Sequence, residues 1–200
     1  MKNFDVLLFD LGGVLIDWDG TTPLVELSAG RLDRETARRF WLESPWVTRY
    51  DQGQCTLEQF ADGVIEELRL NLSRADFIAA YSTWVKAPYP GAEALLLGLS
   101  RRYRLATLTN NNATHFARIQ QQLNLERYFS QIFASHLIGM KKPDPAVYDY
   151  VTEQLGVAPE RIAFFDDNPE CLIPARALGW QTFHTVSMFD LERALISLGA

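Results

Sequence analysis

Four groups of polar residues in this sequence each follow a short apolar run, and their side chains could act together in catalysis. Asp10 follows the first run, Thr109-Asn110 follow the second, Lys142 lies in the segment after the third, and Asp166-Asp167 follow the fourth. Taken singly, each group is typical of a turn, a helix cap or a solvated charge. Because the same placement recurs four times in order, we interpret the groups as parts of one site.

The three carboxylates in this set predict a site for a divalent cation. Asp10, Asp166 and Asp167 would repel one another at short distance unless a positive ion lay among them. Mg²⁺ prefers hard oxygen ligands and keeps several of its waters, so it suits a carboxylate cluster of this kind. We therefore predict Mg²⁺ as the cofactor.

The remaining groups predict phosphoryl transfer. Lys142 supplies a positive charge that can face a phosphate, and the Thr109 hydroxyl and the Asn110 backbone and side chain can hold phosphate oxygens. Asp10 is the carboxylate on the first strand, which we expect at the centre of the sheet, so we assign it as the nucleophile. It would form an aspartyl-phosphate, which water would then hydrolyse.

An α/β fold with an open parallel sheet would bring these groups together. From residue 103 onwards, short apolar runs alternate with helix-like segments, a pattern typical of a Rossmann-like, doubly wound parallel sheet that is covered on both faces. In such sheets ligands bind beyond the carboxyl ends of the strands, which is where the polar groups fall. The predicted strands are Phe4–Phe9, Tyr103–Leu108, Gln131–Ala134, Arg161–Phe165 and Trp180–His184.

Capping residues predict where the helices of this part of the chain begin. One helix is expected over Asn112–Leu123 and another over Pro145–Leu155, with Asp144 as its N-cap. A third is expected to start at Asn168-Pro169 and the last at Ser187.

Residues 16–88 have a different character and are predicted to be wholly helical, with starts near Asp33, Thr56 and Ser73. Four of the five tryptophans lie in this segment, and we interpret most of its aromatic residues as the core of a small helical bundle. An all-helical insertion directly after the first strand would form a cap over the strand ends. We therefore expect an α/β core domain of residues 1–15 and 89–200 and a cap domain of residues 16–88.

The cap and its hinge are expected to select the leaving group of the substrate. The candidates to face the cleft are Trp18, Trp46, Arg49 and Tyr50, although packing within the cap explains the two tryptophans at least as well.

Composition and charge narrow the classes of partner. The 200-residue chain is 48% hydrophobic with a formal net charge of -6, which fits a globular protein and disfavours nucleic acid. The first apolar stretch is short and broken by Asp5 and Asp10, so neither a signal peptide nor a membrane span is expected. Cys55 and Cys171 lack metal-ligand spacing and are expected to be free thiols in the cytoplasm. The choice between a monomer and a homodimer stays open.

Four stretches of the chain resemble the motifs of the haloacid dehalogenase superfamily. In order they are FDLGGVL, LATLTNNN, GMKKPDPAVY and IAFFDDNPECLIPARALGW. The resemblance covers essentially the whole chain and implies a phosphatase that uses Mg²⁺ and an aspartate nucleophile. The helical insertion is similar to the cap of the subfamily that includes phosphoglycolate phosphatases and 2-haloacid dehalogenases. The motifs most resemble those of bacterial α-glucose-1-phosphate phosphatases and of the N-terminal phosphatase domain of soluble epoxide hydrolases.

Carried over by position, the resemblance implies the same roles as the residues themselves suggest. Asp10 would be the nucleophile, Thr109 and Asn110 would bind phosphate, and Lys142 would balance charge. Asp167 would ligate the metal and Asp166 would support or share that role. The substrate would be a small phosphorylated metabolite, with a sugar phosphate as one candidate.

The sequence departs from the family at Gly12, where most of these phosphatases have an aspartate that protonates the leaving group. A glycine keeps the backbone carbonyl that binds Mg²⁺ but removes this general acid, which typically contributes about 10²–10⁴-fold in rate. A substrate with an acidic leaving group would need less protonation. Alternatively, Asp17, Asp19 or His115 would substitute for the acid, although each has an ordinary structural interpretation.

Two other functions are compatible with the same fold. One is a metal-independent 2-haloacid dehalogenase, but such enzymes usually lack the acid pair Asp166-Asp167 and have an aromatic residue at the position of Gly12. The other is a binding domain that has lost turnover, which only Gly12 favours.

Overall fold

The computed structural model describes residues 4–199, and its centre is a five-stranded sheet. Along the chain the strands are β1 (Val6–Phe9), β2 (Ile16–Trp18), β3 (Val85–Pro88), β4 (Arg104–Thr109), β5 (Gln131–Ala134), β6 (Ile162–Asp166) and β7 (Gln181–His184). The sheet has the order β5-β4-β1-β6-β7, and every neighbouring pair in it is parallel. The five predicted strands are thus confirmed to within one or two residues, and β1 is central.

The sheet is buried on both faces because helices cover each of them. Along β1, Leu7 and Phe9 belong to one buried apolar cluster, whereas Val6 and Leu8 belong to the cluster on the opposite face. All four side chains are fully buried. This explains why the strand reads as a continuous apolar run rather than an alternating one.

Helices occupy most of the remaining chain, and several begin at the predicted caps. The Asp144 and Ser187 side chains each accept a hydrogen bond from a backbone N–H of the helix that they precede. The helices are α1 (Thr21–Leu27), α2 (Arg34–Glu43), α3 (Pro45–Asp51), α4 (Leu57–Leu68), α5 (Arg74–Tyr81), α6 (Ala92–Ser100), α7 (Ala113–Arg118), α8 (Ser135–Ile138), α9 (Pro145–Leu155), α10 (Pro169–Ala177) and α11 (Met188–Ser197).

The helix predicted over Asn112–Leu123 is confirmed in its extent, but its second half is not α-helical. The α-helix ends at Arg118 and continues as a π-helical turn over Ile119–Leu123, closed by the Asn124 N–H on the Ile119 carbonyl at 2.9 Å. The apolar spacing of this segment is compatible with either helix type, so the pattern does not distinguish them.

The segment of residues 16–88 is helical except at its two ends, where the all-helical expectation is wrong. Strands β2 and β3 pair antiparallel there, and Ile16 lies opposite Pro88. Strands of three and four residues are too short to show a periodic signal. The predicted helix starts are confirmed, because Asp33, Thr56 and Ser73 each cap a helix.

Aromatic side chains form the core of this helical segment, as predicted. Phe60, Phe77 and Tyr81 are fully buried, and the Phe60 and Tyr81 ring centroids are 5.0 Å apart. Within residues 4–199, no helix has both the length and the apolar character that crossing a membrane requires.

Candidate active site

The carboxyl ends of β1, β4 and β6 meet at one edge of the sheet and place the predicted residues around one cavity. Asp10 follows β1, Thr109 ends β4, and Asp166 ends β6. The cavity has a volume of about 580 Å³, and the helical segment of residues 16–88 supplies much of its opposite wall. All seven residues that the sequence analysis assigned to catalysis, phosphate or metal line it: Asp10, Gly12, Thr109, Asn110, Lys142, Asp166 and Asp167.

The three carboxylates form a compact acidic cluster. Each of Asp10, Asp166 and Asp167 offers an oxygen, and these oxygens lie within 4.8 Å of one another. Asp166 is fully buried, and one of its oxygens accepts the Asn168 backbone N–H at 2.8 Å. Hard oxygen ligands converging at this distance fit a magnesium ion.

Burial and mutual repulsion make two of these carboxyl groups hard to ionise in the absence of a cation. Burial raises the pKa of Asp10 to about 6, with a further increase from Asp166 and an opposing effect of Lys142. Burial also raises the pKa of Asp167 to about 7, and the negative charges of Asp10 and Asp166 add to it. A divalent cation would favour the charged form of both groups.

Lys142 is the cation that this cluster already contains. Its side chain is 2% exposed, and its Nζ lies 2.6 Å from Asp166 Oδ2 and 3.2 Å from Asp10 Oδ1. Burial alone would lower the pKa of Lys142, but the two carboxylates outweigh burial and raise it. Lys142 is therefore charged at any pH at which the protein would work.

The Asn110 side chain holds the backbone of this lysine in place. Its Nδ2 donates to the Lys142 carbonyl at 2.9 Å, and its Oδ1 accepts the Lys142 N–H at 2.8 Å. The amide thus joins the end of β4 to the loop before α9. On the neighbouring residue of β4, the Thr109 hydroxyl favours the ionised form of Asp10 and so lowers the pKa of that carboxyl.

We expect Lys142→Met to lower the free energy of unfolding by about 3 kcal/mol in EDTA at pH 8, because it leaves two buried carboxylates without their cation. At pH 5 the loss should be smaller, since protonation of Asp10 removes part of the repulsion. Urea unfolding at both pH values measures the effect. Lys86→Met is the control, because Lys86 pairs with Asp17 on the surface, where the side chains are 53% and 45% exposed. Equal losses for the two variants would contradict the prediction.

Gly13 is a site residue that the sequence analysis missed. Its φ is +76°, and a Cβ on it would lie 2.4 Å from Asp167 Oδ2, so only glycine lets this carboxylate approach the loop after β1. Gly12 is less constrained. Its φ lies outside the left-handed region, and a Cβ would meet the Trp18 Cβ at an ordinary contact distance of 3.5 Å.

The contacts of Asp17 and Asp19 do not support either aspartate as the substitute general acid. Asp17 pairs with Lys86 at 3.5 Å on the surface. Asp19 accepts the backbone N–H groups of Thr21 and Thr22 at 2.9 and 3.0 Å. Burial raises the pKa of Asp19, but these hydrogen bonds outweigh it, so this carboxyl stays ionised and has no proton to give.

His115 lines the cavity but is held in a state that cannot donate a proton to a ligand there. Burial lowers its pKa to about 4, so the ring is neutral at pH 7. Its Nε2 lies 2.9 Å from the Tyr81 carbonyl, which can only accept, so Nε2 carries the proton. The other nitrogen, Nδ1, is left as an acceptor.

Of the four residues expected to face the cleft, Trp18 lines the cavity. Trp46 packs instead against Gly63 in the helical segment, and the Arg49 guanidinium lies 5.1 Å from the Trp46 ring centre. Tyr50 is buried, and its hydroxyl pairs with Thr114.

The helical segment also contributes cavity residues that the sequence analysis did not single out. Trp41 lies beside Trp18, with ring centroids 5.8 Å apart. Asp51, at the end of α3, lies 3.5 Å from Lys141 Nζ, and both side chains are largely buried, at 14% and 16% exposed. Lys141 and Lys142 therefore both line the cavity. The sequence alone does not show where the side chains of two adjacent lysines point.

Most of the chain is similar in sequence to known hydrolases and phosphatases. The family model for haloacid dehalogenase-like hydrolases matches residues 4–179. A phosphatase of Mycobacterium tuberculosis is 28% identical over 188 residues, which is 90% of this chain and 87% of that protein. The phosphorylated carbohydrates phosphatase of Thermotoga maritima is 27% identical over 98% of this chain and 92% of its own length.

The fold is also similar to that of a solved structure. The crystal structure of a HAD-family enzyme from Bacteroides thetaiotaomicron, in complex with magnesium and inorganic phosphate, matches with a TM-score of 0.75 and 27% identity. The match covers 90% of this chain and 93% of that chain.

Proposed function

The chain belongs to the haloacid dehalogenase-like hydrolase family, and from this premise we propose that it is a Mg²⁺-dependent phosphatase acting through an aspartyl-phosphate. Its substrate is a small phosphorylated metabolite. The observation that carries the proposal is the buried ammonium of Lys142, which touches both Asp10 and Asp166 at the edge of an acidic cluster. A phosphate arriving there would meet a nucleophile and a cation that are already in place.

The metal ligands in this proposal are Asp10, Asp167 and the backbone carbonyl of Gly12. Asp166 supports the site by holding Lys142 rather than by ligating the metal. One of its oxygens accepts a hydrogen bond from Lys142 and the other accepts one from the Asn168 N–H. When bound, Mg²⁺ supplies positive charge that offsets the carboxylate repulsion and polarises a phosphoryl oxygen. The presence of magnesium and inorganic phosphate in the crystal structure of the similar bacterial enzyme supports the choice of metal.

In the first step an Asp10 oxygen attacks the phosphorus and the bond to the leaving-group oxygen breaks. Lys142 offsets negative charge on the transferring group, and the Thr109 hydroxyl and the Asn110 backbone N–H hold its oxygens. We propose that the Asn110 side chain orients Lys142, since its Nδ2 and its Oδ1 both form hydrogen bonds with the Lys142 backbone.

In the second step a water oxygen attacks the phosphorus of the aspartyl-phosphate, and the bond to Asp10 breaks. Phosphate leaves, the Asp10 carboxylate is regenerated, and the proton of the attacking water passes to solvent or to phosphate.

Because Gly12 offers no acid, the leaving oxygen of the first step departs with little protonation. We therefore propose that the natural leaving group is more acidic than a simple alcohol, as in an anomeric, acyl or aryl phosphate.

The segment of residues 16–88 acts as a cap domain on a core of residues 1–15 and 89–200. This division is supported by the antiparallel pair β2–β3, which joins the helices to the sheet, and by the separate aromatic core of the helices. The cap closes the cavity over the acidic cluster, so the leaving group lies between the cap and the core.

Phosphate release from a panel of substrates tests the proposal. The panel holds an anomeric sugar phosphate, an acyl phosphate, an aryl phosphate and an alkyl phosphate, each assayed with Mg²⁺ and with EDTA. Turnover that requires Mg²⁺ is expected. Halide release from a 2-haloacid in EDTA would favour the dehalogenase instead, and an absence of both activities would favour a binding domain.

We expect Mg²⁺ to stabilise the protein, and to do so more as pH rises. Asp10 and Asp167 have folded-state pKa values above the ordinary value of an aspartate carboxyl. Their contribution to the stability of the metal-free protein is therefore present near pH 4 and is lost as pH rises through 6 to 7. At pH 8 and about 100 times Kd, Mg²⁺ should raise Tm over EDTA by about 5–10 °C, and at pH 5 by much less.

Asp167→Asn is the matched variant for this measurement, because it keeps the shape of the side chain and removes its charge. In this variant the Mg²⁺-induced shift at pH 8 should fall to about 2 °C or less. Equal Tm values in Mg²⁺ and in EDTA for the wild type at pH 8 would rule out the proposed metal site.

A further inference from the structure

We propose that His184, at the end of β7, is a positioning residue for the metal site, because its imidazole ring fixes the backbone of Asp167. The inference rests on the proposed phosphatase function, in which Asp167 is a metal ligand. His184 Nε2 lies 2.9 Å from the Asp167 carbonyl oxygen. His184 also lies outside the four stretches that resemble the family motifs, the last of which ends at Trp180.

The chemistry of this contact determines which atom is the donor. A carbonyl oxygen can only accept a hydrogen bond, so Nε2 of His184 carries the proton and donates it. The contact needs one N–H donor at this position and uses nothing else of the ring. A side chain that offers a donor at a similar reach should therefore preserve the contact, whereas an apolar side chain should remove it.

Asp167 is the carboxylate of the acidic cluster whose backbone lies beyond the ladder of the sheet. Asp166 is the last residue of β6, and the Asp10 N–H donates to the Phe165 carbonyl at 2.9 Å, so the sheet holds both of these residues. Asp167 comes one residue after β6 and two residues before the start of α10. The hydrogen bond from His184 ties this short connection to the neighbouring strand.

The residue after His184 holds the other acid of the pair. The Thr185 N–H donates to the Asp166 carbonyl at 3.0 Å. The end of β7 thus contacts the backbone of both acids, once through its main chain and once through the imidazole. Only the second contact depends on the type of side chain, so a substitution of His184 removes it and leaves the parallel pairing of β6 and β7 in place.

The position of Asp167 has to be accurate, because its carboxylate packs closely and must converge with two others. A Cβ on Gly13 would lie 2.4 Å from Asp167 Oδ2, so this oxygen lies directly against the loop after β1. The oxygens that Asp10, Asp166 and Asp167 offer lie within 4.8 Å of one another. Metal–ligand distances tolerate only about 0.2 Å, so a larger movement of the Asp167 backbone would weaken binding of the cation.

Binding of Mn²⁺ at pH 8 tests the inference without turnover, because Mn²⁺ takes the same hard oxygen ligands as Mg²⁺. The electron paramagnetic resonance signal of the free ion measures the bound fraction. His184→Ala and His184→Leu should each raise the Kd of Mn²⁺ by about tenfold, as expected when a hydrogen bond that orients a metal ligand is lost. His184→Gln, whose amide N–H can donate, should stay within about threefold of wild type.

Phosphate release from an aryl phosphate gives a second measurement. In His184→Ala the Mg²⁺ concentration that gives half the maximal rate should rise by about tenfold. At saturating Mg²⁺ kcat should stay within about twofold of wild type, and Tm in EDTA within about 2 °C. A purely structural role would instead lower Tm in EDTA and kcat together and leave the Kd of Mn²⁺ unchanged.

Gln181→Ala is the control, because Gln181 is an exposed residue of the same strand. Its Kd for Mn²⁺ should stay within about twofold of wild type. If His184→Ala does not fold, His184→Leu, which keeps most of the volume of the ring, provides the test. A wild-type Kd in the folded Ala or Leu variant would overturn the inference, and so would an equal loss of affinity in His184→Gln. Absence of Mn²⁺ binding by the wild type would instead overturn the proposed metal site on which the inference rests.

Discussion

Asp10→Asn is expected to lower kcat by about 10⁴-fold or more, since the variant lacks the attacking oxygen anion and no other carboxylate occupies its place at the end of β1. Asp166 cannot substitute, because its oxygens are bonded to Lys142 and to the Asn168 N–H. Phosphate release from an aryl phosphate in Mg²⁺ is the measurement.

The variant should remain folded, which separates loss of chemistry from loss of structure. Burial raises the pKa of Asp10 to about 6, so its ionised form is unfavourable in the metal-free site at pH 8, and a neutral amide removes that cost. Lys142 keeps Asp166 as its partner. We therefore expect the Tm of Asp10→Asn in EDTA at pH 8 to equal or exceed that of the wild type.

Glu153→Gln provides the matched control, because it makes the same kind of change on the exposed surface of α9. Its kcat should stay within about twofold of wild type, as for most surface substitutions. A kcat for Asp10→Asn within tenfold of wild type would show that Asp10 is not the nucleophile.

The sheet and its carboxyl edge were predictable from sequence because burial on both faces leaves a simple signal. Strands such as β1 and β6 read as unbroken apolar runs, and a polar residue marks where each one ends. In a parallel sheet the carboxyl ends of the strands lie at one edge, so a parallel sheet is enough to place Asp10, Thr109 and Asp166 at that edge. Helix starts such as Asp144 were predictable because capping is a local interaction between near neighbours.

The other half of the cavity could not be predicted, because it depends on contacts between distant parts of the chain. Asp51 and Lys141 are 90 positions apart, and neither belongs to a local pattern that marks it as a cavity residue. The need for glycine at Gly13 arises from Asp167, which approaches it only in the folded protein. His115 was one of three candidate acids until its contact with the Tyr81 carbonyl fixed its proton.

The largest gain of function should come from Gly12→Asp. If Asp10 is the nucleophile and the wild type has no general acid, log kcat/KM should fall steeply as the pKa of the leaving group rises. Asp17, Asp19 and His115 are held in states or positions that do not supply the proton. An aspartate at position 12 should restore an acid and raise kcat/KM for alkyl phosphates by about 10²–10⁴-fold, with little effect on aryl phosphates.

The backbone at Gly12 can accept this change. Its φ lies outside the left-handed region, and the new Cβ would lie 3.5 Å from the Trp18 Cβ. Gly12→Asn is the control, since it has the same size and lacks the acid, so it should leave the steep dependence unchanged. The comparison is the slope of log kcat/KM against leaving-group pKa for the three proteins, with Tm measured for each. A shallow slope in the wild type would mean that another group already donates the proton. Asp51, a cavity carboxyl outside the acidic cluster whose pKa burial also raises, would then be the next residue to replace.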